Sequence, residues 1–321
     1  MRHMLFIYNP RAGKGLIRSH LSDILEEFTR HDLVVTVHPT MDQKDALHTM
    51  RDYGRRYDMV VCSGGDGTLD EVVTGMMRGG FRTPVGYIPA GSTNDFASSL
   101  GIPRQMRQAA ASISEGSVFS CDVGRINQDH YFVYVAAFGV FTEVSYKTDQ
   151  DMKNMLGHLA YLLEGARSLS AIRSWDLTFE SEEMSGSGSF ILGMVTNSNS
   201  VGGFKGITGN DVTLNDGVFE VTLIRMPENI IIEWPAILNA LINNEPNVNV
   251  ITFKTSELKI TSQTAIPWTT DGEYGGEYTE CVIRNMPRAL PIILGQQPAQ
   301  ILTDDEETET AGMQPAEGAE A

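Results

Sequence analysis

The first 125 residues alternate compact apolar runs with stretches of helical periodicity, and this alternation restricts the fold more than any other feature of the chain. The runs are "MLFIY" (4–8), "LVVTV" (33–37), "DMVVC" (58–62) and "VGYI" (85–88). After the first, Ile17, Leu21, Ile24, Leu25 and Phe28 recur at helical spacing. After the second, Thr40-Met-Asp-Gln43 has capping-box form and predicts a helix through Ala46, Leu47 and Met50. After the third, Leu69, Val72, Val73, Met76 and Met77 mark another helix. Strands that are apolar on both sides and separated by helices predict a parallel sheet covered on both faces. A Rossmann-like α/β domain is therefore expected over 1–125. Such sheets bind ligands at the carboxyl ends of their strands. Three loops follow strands there: "NPRAGKG" (9–15), "SGGDGTLDE" (63–71) and "PAGSTNDF" (89–96).

The middle loop surrounds Asp66 with Gly64, Gly65 and Gly67. Glycine permits positive φ and close backbone approach, at an entropic cost. Backbone N–H groups at a helix start can hold phosphate oxygens. Asp66 is itself an anion, so a phosphate site here needs Mg²⁺ or a substrate hydroxyl beside the carboxylate. The same residues also read as a glycine turn with Asp66 capping the helix. Neither G-x-x-x-x-G-K-[ST] nor a full G-x-G-x-x-G occurs, so a nucleotide site would be of another kind.

From about residue 125 the pattern changes. Strand-like runs at 131–139, 174–180, 189–197 and 217–225 are joined by loops rich in Gly, Asn and Ser. "NDG" (215–217) and "TDGEYGG" (270–276) read as hairpin-type turns, and helical stretches lie near 151–171 and 229–243. This predicts a second, mainly antiparallel β-sandwich domain at 126–288, with a return into the first domain allowed for at 289–300. The last residues, 301–321, carry seven acids and no base, and read as a disordered solubilising tail. The formal charge is −17, while residues 1–125 are neutral, which argues against nucleic acid as a partner. No run approaches the roughly 20 apolar residues of a membrane helix. The most apolar segment, "YFVYVAAFGVF" (131–141), reads as buried strand. The start lacks signal-peptide form, and Cys62, Cys121 and Cys281 read as reduced thiols of a cytoplasmic protein.

"GGDGTLDEV", preceded by "YNPRAG" and followed by "IPAGSTNDF", resembles the catalytic domain of the diacylglycerol kinase family, which includes soluble bacterial lipid kinases and sphingosine kinases. "FVYVAAFG", "TNSNSVGGF", "LNDGVFEV" and "TDGEYGG" continue the resemblance in order, over about 4–292. It implies ATP across the strand edges. Contacts would come from Asn9, Pro10, Arg11, Ala12, Gly13, Thr40, Gly65, Asp66, Gly67, Thr68, Leu69, Asp70, Glu71 and Ser92. At Ser92 the family usually has Thr. It further implies that Asp66, Asp95 and Asp122 serve a Mg²⁺ and water network near the phosphates. A structural Mg²⁺ would sit on the Asp216 carboxylate and the Thr213 and Val218 carbonyls. Asp271 and Glu273 match the acidic catalytic motif. Glu273 would accept the lipid hydroxyl proton, Asp271 would help hold the turn, and Asp66 would face Mg²⁺ and the hydroxyl.

By residue type alone, Thr40 is also an N-cap, Asp95 a turn former, "NDG" a tight turn and "TDGE" a hairpin tip. The resemblance implies an ATP- and Mg²⁺-dependent lipid kinase, with diacylglycerol the leading acceptor. The alternatives are a sphingoid base, phosphatidylglycerol or a prenol, more distantly an NAD kinase, and last a non-enzymatic regulator on the same scaffold. A cytoplasmic protein touching membranes transiently is expected, with Arg51, Arg55, Arg56, Arg104 and Arg107 as the contact patch; a homodimer is allowed for.

Overall fold

The computed structural model describes residues 1–139, 173–198, 200–201, 204–205, 212–243 and 245–295. The helical stretch expected near 151–171, the end of the return at 296–300 and the acidic tail lie outside the described residues.

Strands β1 (Arg2–Tyr8), β2 (Leu33–Pro39), β3 (Met59–Gly64) and β4 (Val85–Pro89) pair in parallel in the order β4-β3-β1-β2. The period of two along each strand sends alternate residues to opposite faces. Leu5, Ile7, Val60, Cys62, Val85 and Tyr87 pack with residues of α2 (Asp45–Tyr53) and α3 (Asp66–Gly79). Met4, Phe6, Met59, Val61 and Ile88 pack with residues of α1 (Ile17–Arg30) and α5 (Met106–Glu115). Both faces are thus buried, which is why the strands read as continuous apolar runs. A short α4 (Asp95–Ser99) follows β4 at the carboxyl edge.

Helix α2 departs from its predicted start. It begins at Asp45, and Lys44 before it is left-handed (φ 68°) with no side-chain cap of its own. The Thr40–Gln43 capping box does not form. Instead the Asp45 carboxylate accepts the Met41 N–H at 2.8 Å, and burial places Thr40 in a cleft wall.

The second half is built from β5 (Ser117–Ile126), β6 (His130–Phe132), β7 (Val135–Gly139), β8 (Trp175–Glu180), β9 (Ser185–Thr196), the small ladder β10 (Ser200–Val201) and β11 (Phe204–Lys205), β12 (Phe219–Arg225), β13 (Val250–Thr255), β14 (Glu257–Thr270) and β15 (Glu273–Leu294). Among the described residues a helix, α6 (Ile230–Asn243), covers the β9–β12 region. Among the described residues all pairings within this half are antiparallel. β7, β14, β8 and β9 pair in a closed circuit around Phe138, Trp175, Phe179, Phe190 and Trp268. Phe138 and Trp268 meet edge to face with centroids 5.0 Å apart.

The long strand β15 joins the halves. It pairs antiparallel with β14 and β5, then meets β4 in parallel at Ile292↔Val85. A sheet of thirteen strands therefore runs through both halves among the described residues. The run at 131–139, read as one strand, is two. β6 and β7 are separated because the Val133, Tyr134 and Val135 N–H groups leave the ladder and bind the Asp271 carboxylate.

Candidate active site

The three loops after β1, β3 and β4 meet at the carboxyl edge of the parallel sheet. Asn9 N–H donates to the Ser63 carbonyl at 2.8 Å, and the Asn9 side chain reaches Thr68 Oγ1 at 3.4 Å. Ala90 N–H donates to the Gly64 carbonyl at 2.7 Å. Gly64, Gly65 and Gly67 all have negative φ, so left-handed backbone is not why they are glycine. Close approach is the reason at Gly64, where an added Cβ would lie 2.3 Å from Thr68 Oγ1, and at Gly91, where it would lie 2.7 Å from the Cα of the facing Gly65. Gly13 combines φ 53° with a Cβ position 2.4 Å from the Ala90 carbonyl oxygen.

Against these loops rests the tip of the β14–β15 hairpin. Thr270 pairs with Glu273, and Asp271 (φ 48°) and Gly272 (φ 88°) make the two-residue turn that the sequence predicts. Asp271 is buried. Its Oδ2 accepts the Val133 N–H at 2.5 Å, and its Oδ1 accepts those of Tyr134 and Val135 at 3.0 Å each. Burial raises its pKa, and the three N–H bonds oppose that rise. These bonds lock the hairpin to the segment between β6 and β7. Glu273 itself is exposed, and a Cβ on Gly67 would stand 3.5 Å from its Oε1.

Between loops and hairpin lies a cleft of about 990 Å³. Its walls include Asn9, Arg11, Ala12, Gly13, Thr40, Gly65, Asp66, Gly67, Thr68, Asp70, Glu71, Ser92, Asp95, Asp271 and Glu273. Asp66 opens α3 and points to the start of α4, where its Oδ2 accepts the Asp95 N–H at 3.2 Å. Its Oδ1 is buried with no hydrogen-bond partner. Burial, then the neighbouring Asp95 charge, pushes the Asp66 carboxyl up to about 6. Asp70, one turn further along α3, is also raised well above the usual carboxylate range, by burial and then by Asp271, Glu71 and Glu273. The cleft is thus crowded with acids.

Other sequence-assigned residues lie elsewhere. Leu69 is in the core beneath α3, and Pro10 is absent from the cleft walls. Asp122 is not in the cleft either. Its oxygens accept the Gly217 and Arg288 N–H groups at 2.7 Å each and the Asn285 side chain at 3.2 Å. It therefore braces the 213–218 loop against a bulge in β15, apart from Asp66 and Asp95. In that loop, Asp216 Oδ1 accepts the Val218 N–H at 3.2 Å, while Oδ2 lies 3.9 Å from Lys254 Nζ. Burial chiefly raises Asp122, and pushes Glu220 up to about 7; the Asp216 charge adds to both shifts. Asp216 and Glu220 thus share the Lys254 ammonium, at 3.9 and 3.2 Å.

Thr74, Arg78, His130, Tyr131 and Tyr134 also line the cleft and escaped the sequence reading. A signal existed for two of them: Asp66, Asp70, Thr74 and Arg78 recur every four residues, on one face of α3. His130, by contrast, enters through its 2.8 Å contact with Thr270 Oγ1, 140 positions away.

Mg²⁺ takes hard oxygen ligands and keeps several waters, so one or two carboxylates beside phosphate oxygens suffice for it. The unpartnered Asp66 Oδ1 beside Asp95 suits that chemistry, and so does the acid surplus around Asp216. Among the described residues, no group of three or more His, Cys, Asp or Glu side chains is arranged to hold a metal by itself.

Comparison with known proteins places this arrangement. Residues 3–126 match the diacylglycerol kinase catalytic domain, and residues 134–294 match the YegS C-terminal NAD kinase beta sandwich-like domain. A diacylglycerol kinase of Bacillus subtilis (strain 168) is 33% identical over 309 residues, which cover 95% of this chain and 100% of that protein. One from Staphylococcus haemolyticus (strain JCSC1435) is 34% identical over 274 residues, covering 84% and 82%. The crystal structure of a diacylglycerol kinase from Bacillus anthracis str. Sterne superposes with a TM-score of 0.75 at 24% identity, covering 92% of this chain and 97% of that one. With both halves matched and a third of the residues identical over nearly the whole length, the chain belongs to the diacylglycerol kinase family and is a lipid kinase.

Proposed function

We propose that this lipid kinase transfers the γ-phosphoryl group of ATP to the free hydroxyl of diacylglycerol, giving phosphatidic acid and ADP. The observation that carries the reading is the meeting of Glu273, from the hairpin, with the glycine loop of α3 in one cleft. The substrate comes from the name carried by the relatives, and the geometry is suited to it. The triphosphate lies along the Gly65–Gly67 backbone at the start of α3, ahead of the Thr68 N–H that donates to the Gly65 carbonyl. Asp66 and Asp95 would hold Mg²⁺, which neutralises charge spreading over the transferred group. The lipid oxygen attacks phosphorus, the bond to the β-phosphate oxygen breaks, and ADP leaves. Glu273 accepts the hydroxyl proton late in the step, because an alcohol is far less acidic than a carboxylic acid. Asp271 does not react; it holds the turn that carries Glu273.

Labelled ATP offered with mixed micelles of diacylglycerol, sphingosine, phosphatidylglycerol or a prenol, and with NAD⁺, tests the acceptor. Label should enter diacylglycerol. Product from another lipid alone, or NADP⁺ without lipid product, would displace this reading.

A further inference from the structure

We propose that Glu71 is a positioning residue for the nucleotide: from α3 it caps the start of α2 and so holds the 40–44 loop in the shape that forms one wall of the cleft. The proposal rests on the reading of that cleft as the ATP site. Helix α2 has no cap of its own, because Lys44 occupies its N-cap position in a left-handed conformation with no side-chain bond. A helix start leaves N–H groups in need of acceptors. Glu71 supplies them: Oε1 accepts the Lys44 N–H at 2.7 Å and Oε2 accepts the Ala46 N–H at 3.2 Å. A left-handed backbone is unfavourable for lysine, and such conformations persist only where the surroundings hold them. Here two charge-assisted hydrogen bonds do so. Thr40, Met41, Asp42, Gln43 and Lys44 all line the cleft. Both Glu71 oxygens are occupied by α2, so the side chain acts on the nucleotide through this loop.

Steady-state kinetics of Glu71→Ala, Lys44→Gly and the double variant, with ATP and the lipid acceptor varied separately, test the idea. Glycine accepts φ near 68° without strain, so it should replace part of what Glu71 does. Glu71→Ala should raise KM for ATP about tenfold, the scale of one lost charge-assisted bond, with kcat and the lipid KM within about twofold of the parent. Adding Lys44→Gly should recover at least half of that loss on a logarithmic scale. A rise in ATP KM that Lys44→Gly does not relieve would mean direct nucleotide contact and overturn the proposal. A fall in kcat at unchanged ATP KM would overturn it too. If Glu71→Ala fails to fold, Glu71→Gln keeps one acceptor and should show an intermediate ATP KM; a value equal to the parent's counts against the cap. Hydrogen exchange at the Ala46 amide, without any substrate, separates the two readings. Faster exchange in Glu71→Gln upholds the cap whatever the acceptor lipid proves to be, and unchanged exchange refutes it.

Discussion

Asp66 and Glu273 are both acids in one cleft, yet their surroundings give them different work. Asp66 is half-buried at a helix start, beside Asp95 and with one oxygen lacking a partner, which suits a cation. Glu273 is exposed at a hairpin tip, free to meet a hydroxyl arriving from solvent or membrane. General-base assistance is typically worth about 10²–10⁴-fold, so Glu273→Gln should lower kcat by that factor while ATP still binds. Asp66→Asn should cost at least as much, since it removes charge from the phosphate end. Near-normal turnover in Glu273→Gln with an inactive Asp66→Asn would move the base role to Asp66. Both residues were legible in the sequence as acids in glycine-rich turns. What the sequence could not say is which of the flanking acids share the cleft with them. Asp122 lies within β5, not after a strand as Asp95 does, and its oxygens are taken by Gly217, Asn285 and Arg288.

The elements matter chiefly through what anchors their ends. The hairpin is held by Asp271, whose three N–H bonds stabilise it while burial and nearby acids offset part of the gain. Hydrogen bonds to charged groups are worth about 1.5–3 kcal/mol each, so Asp271→Ala should destabilise the protein by roughly 2–4 kcal/mol after that offset. Thermal melting would measure the loss, and hydrogen exchange at Val133–Val135 should quicken with it. If those amides stay protected, the anchoring role is wrong. The 213–218 loop makes a second case. With Asp216 and Glu220 sharing Lys254 and Asp122 close enough to feel the Asp216 charge, added Mg²⁺ should raise Tm, by the equivalent of about 2.7 kcal/mol at a hundredfold excess over Kd. Asp216→Ala should abolish the rise. A rise that survives in that variant would place the cation elsewhere. The start of α2 shows the limit of element reading: Thr40–Gln43 has capping-box form, but the actual acceptor is Glu71, on a different helix.

At the scale of the molecule, the five arginines grouped from the sequence do not share one face. Arg51, Arg55 and Arg56 lie where α2 ends and β3 is about to begin, at the opposite strand ends from the three cleft loops. Arg51 is tied to Asp52 at 2.8 Å, Arg55 sits over Phe81 and Arg56 over Tyr53. Arg104 and Arg107 are exposed at the start of α5, which packs on the other face of the sheet with α1. Among the described residues no helix is long and apolar enough to cross a membrane. Reversing Arg104 and Arg107 to Glu should therefore weaken sedimentation with anionic vesicles more than reversing Arg55 and Arg56. Binding should also fall with salt, since exposed charges are screened within about 8 Å at physiological ionic strength. Equal loss from both pairs, or binding indifferent to salt, would discard this surface.

The sequence by itself determined the parallel sheet, the three loops at its edge and the Asp271–Gly272 turn, because each depends on local periodicity or on the backbone freedom of a few adjacent residues. It also carried enough ordered motifs to imply the family. Only the tertiary structure decided which donors and acceptors meet. Val133–Val135 find Asp271 across more than 130 residues, and Lys44 finds Glu71 across 27. A backbone N–H can be satisfied by any acceptor that packing brings near, and local sequence does not name it.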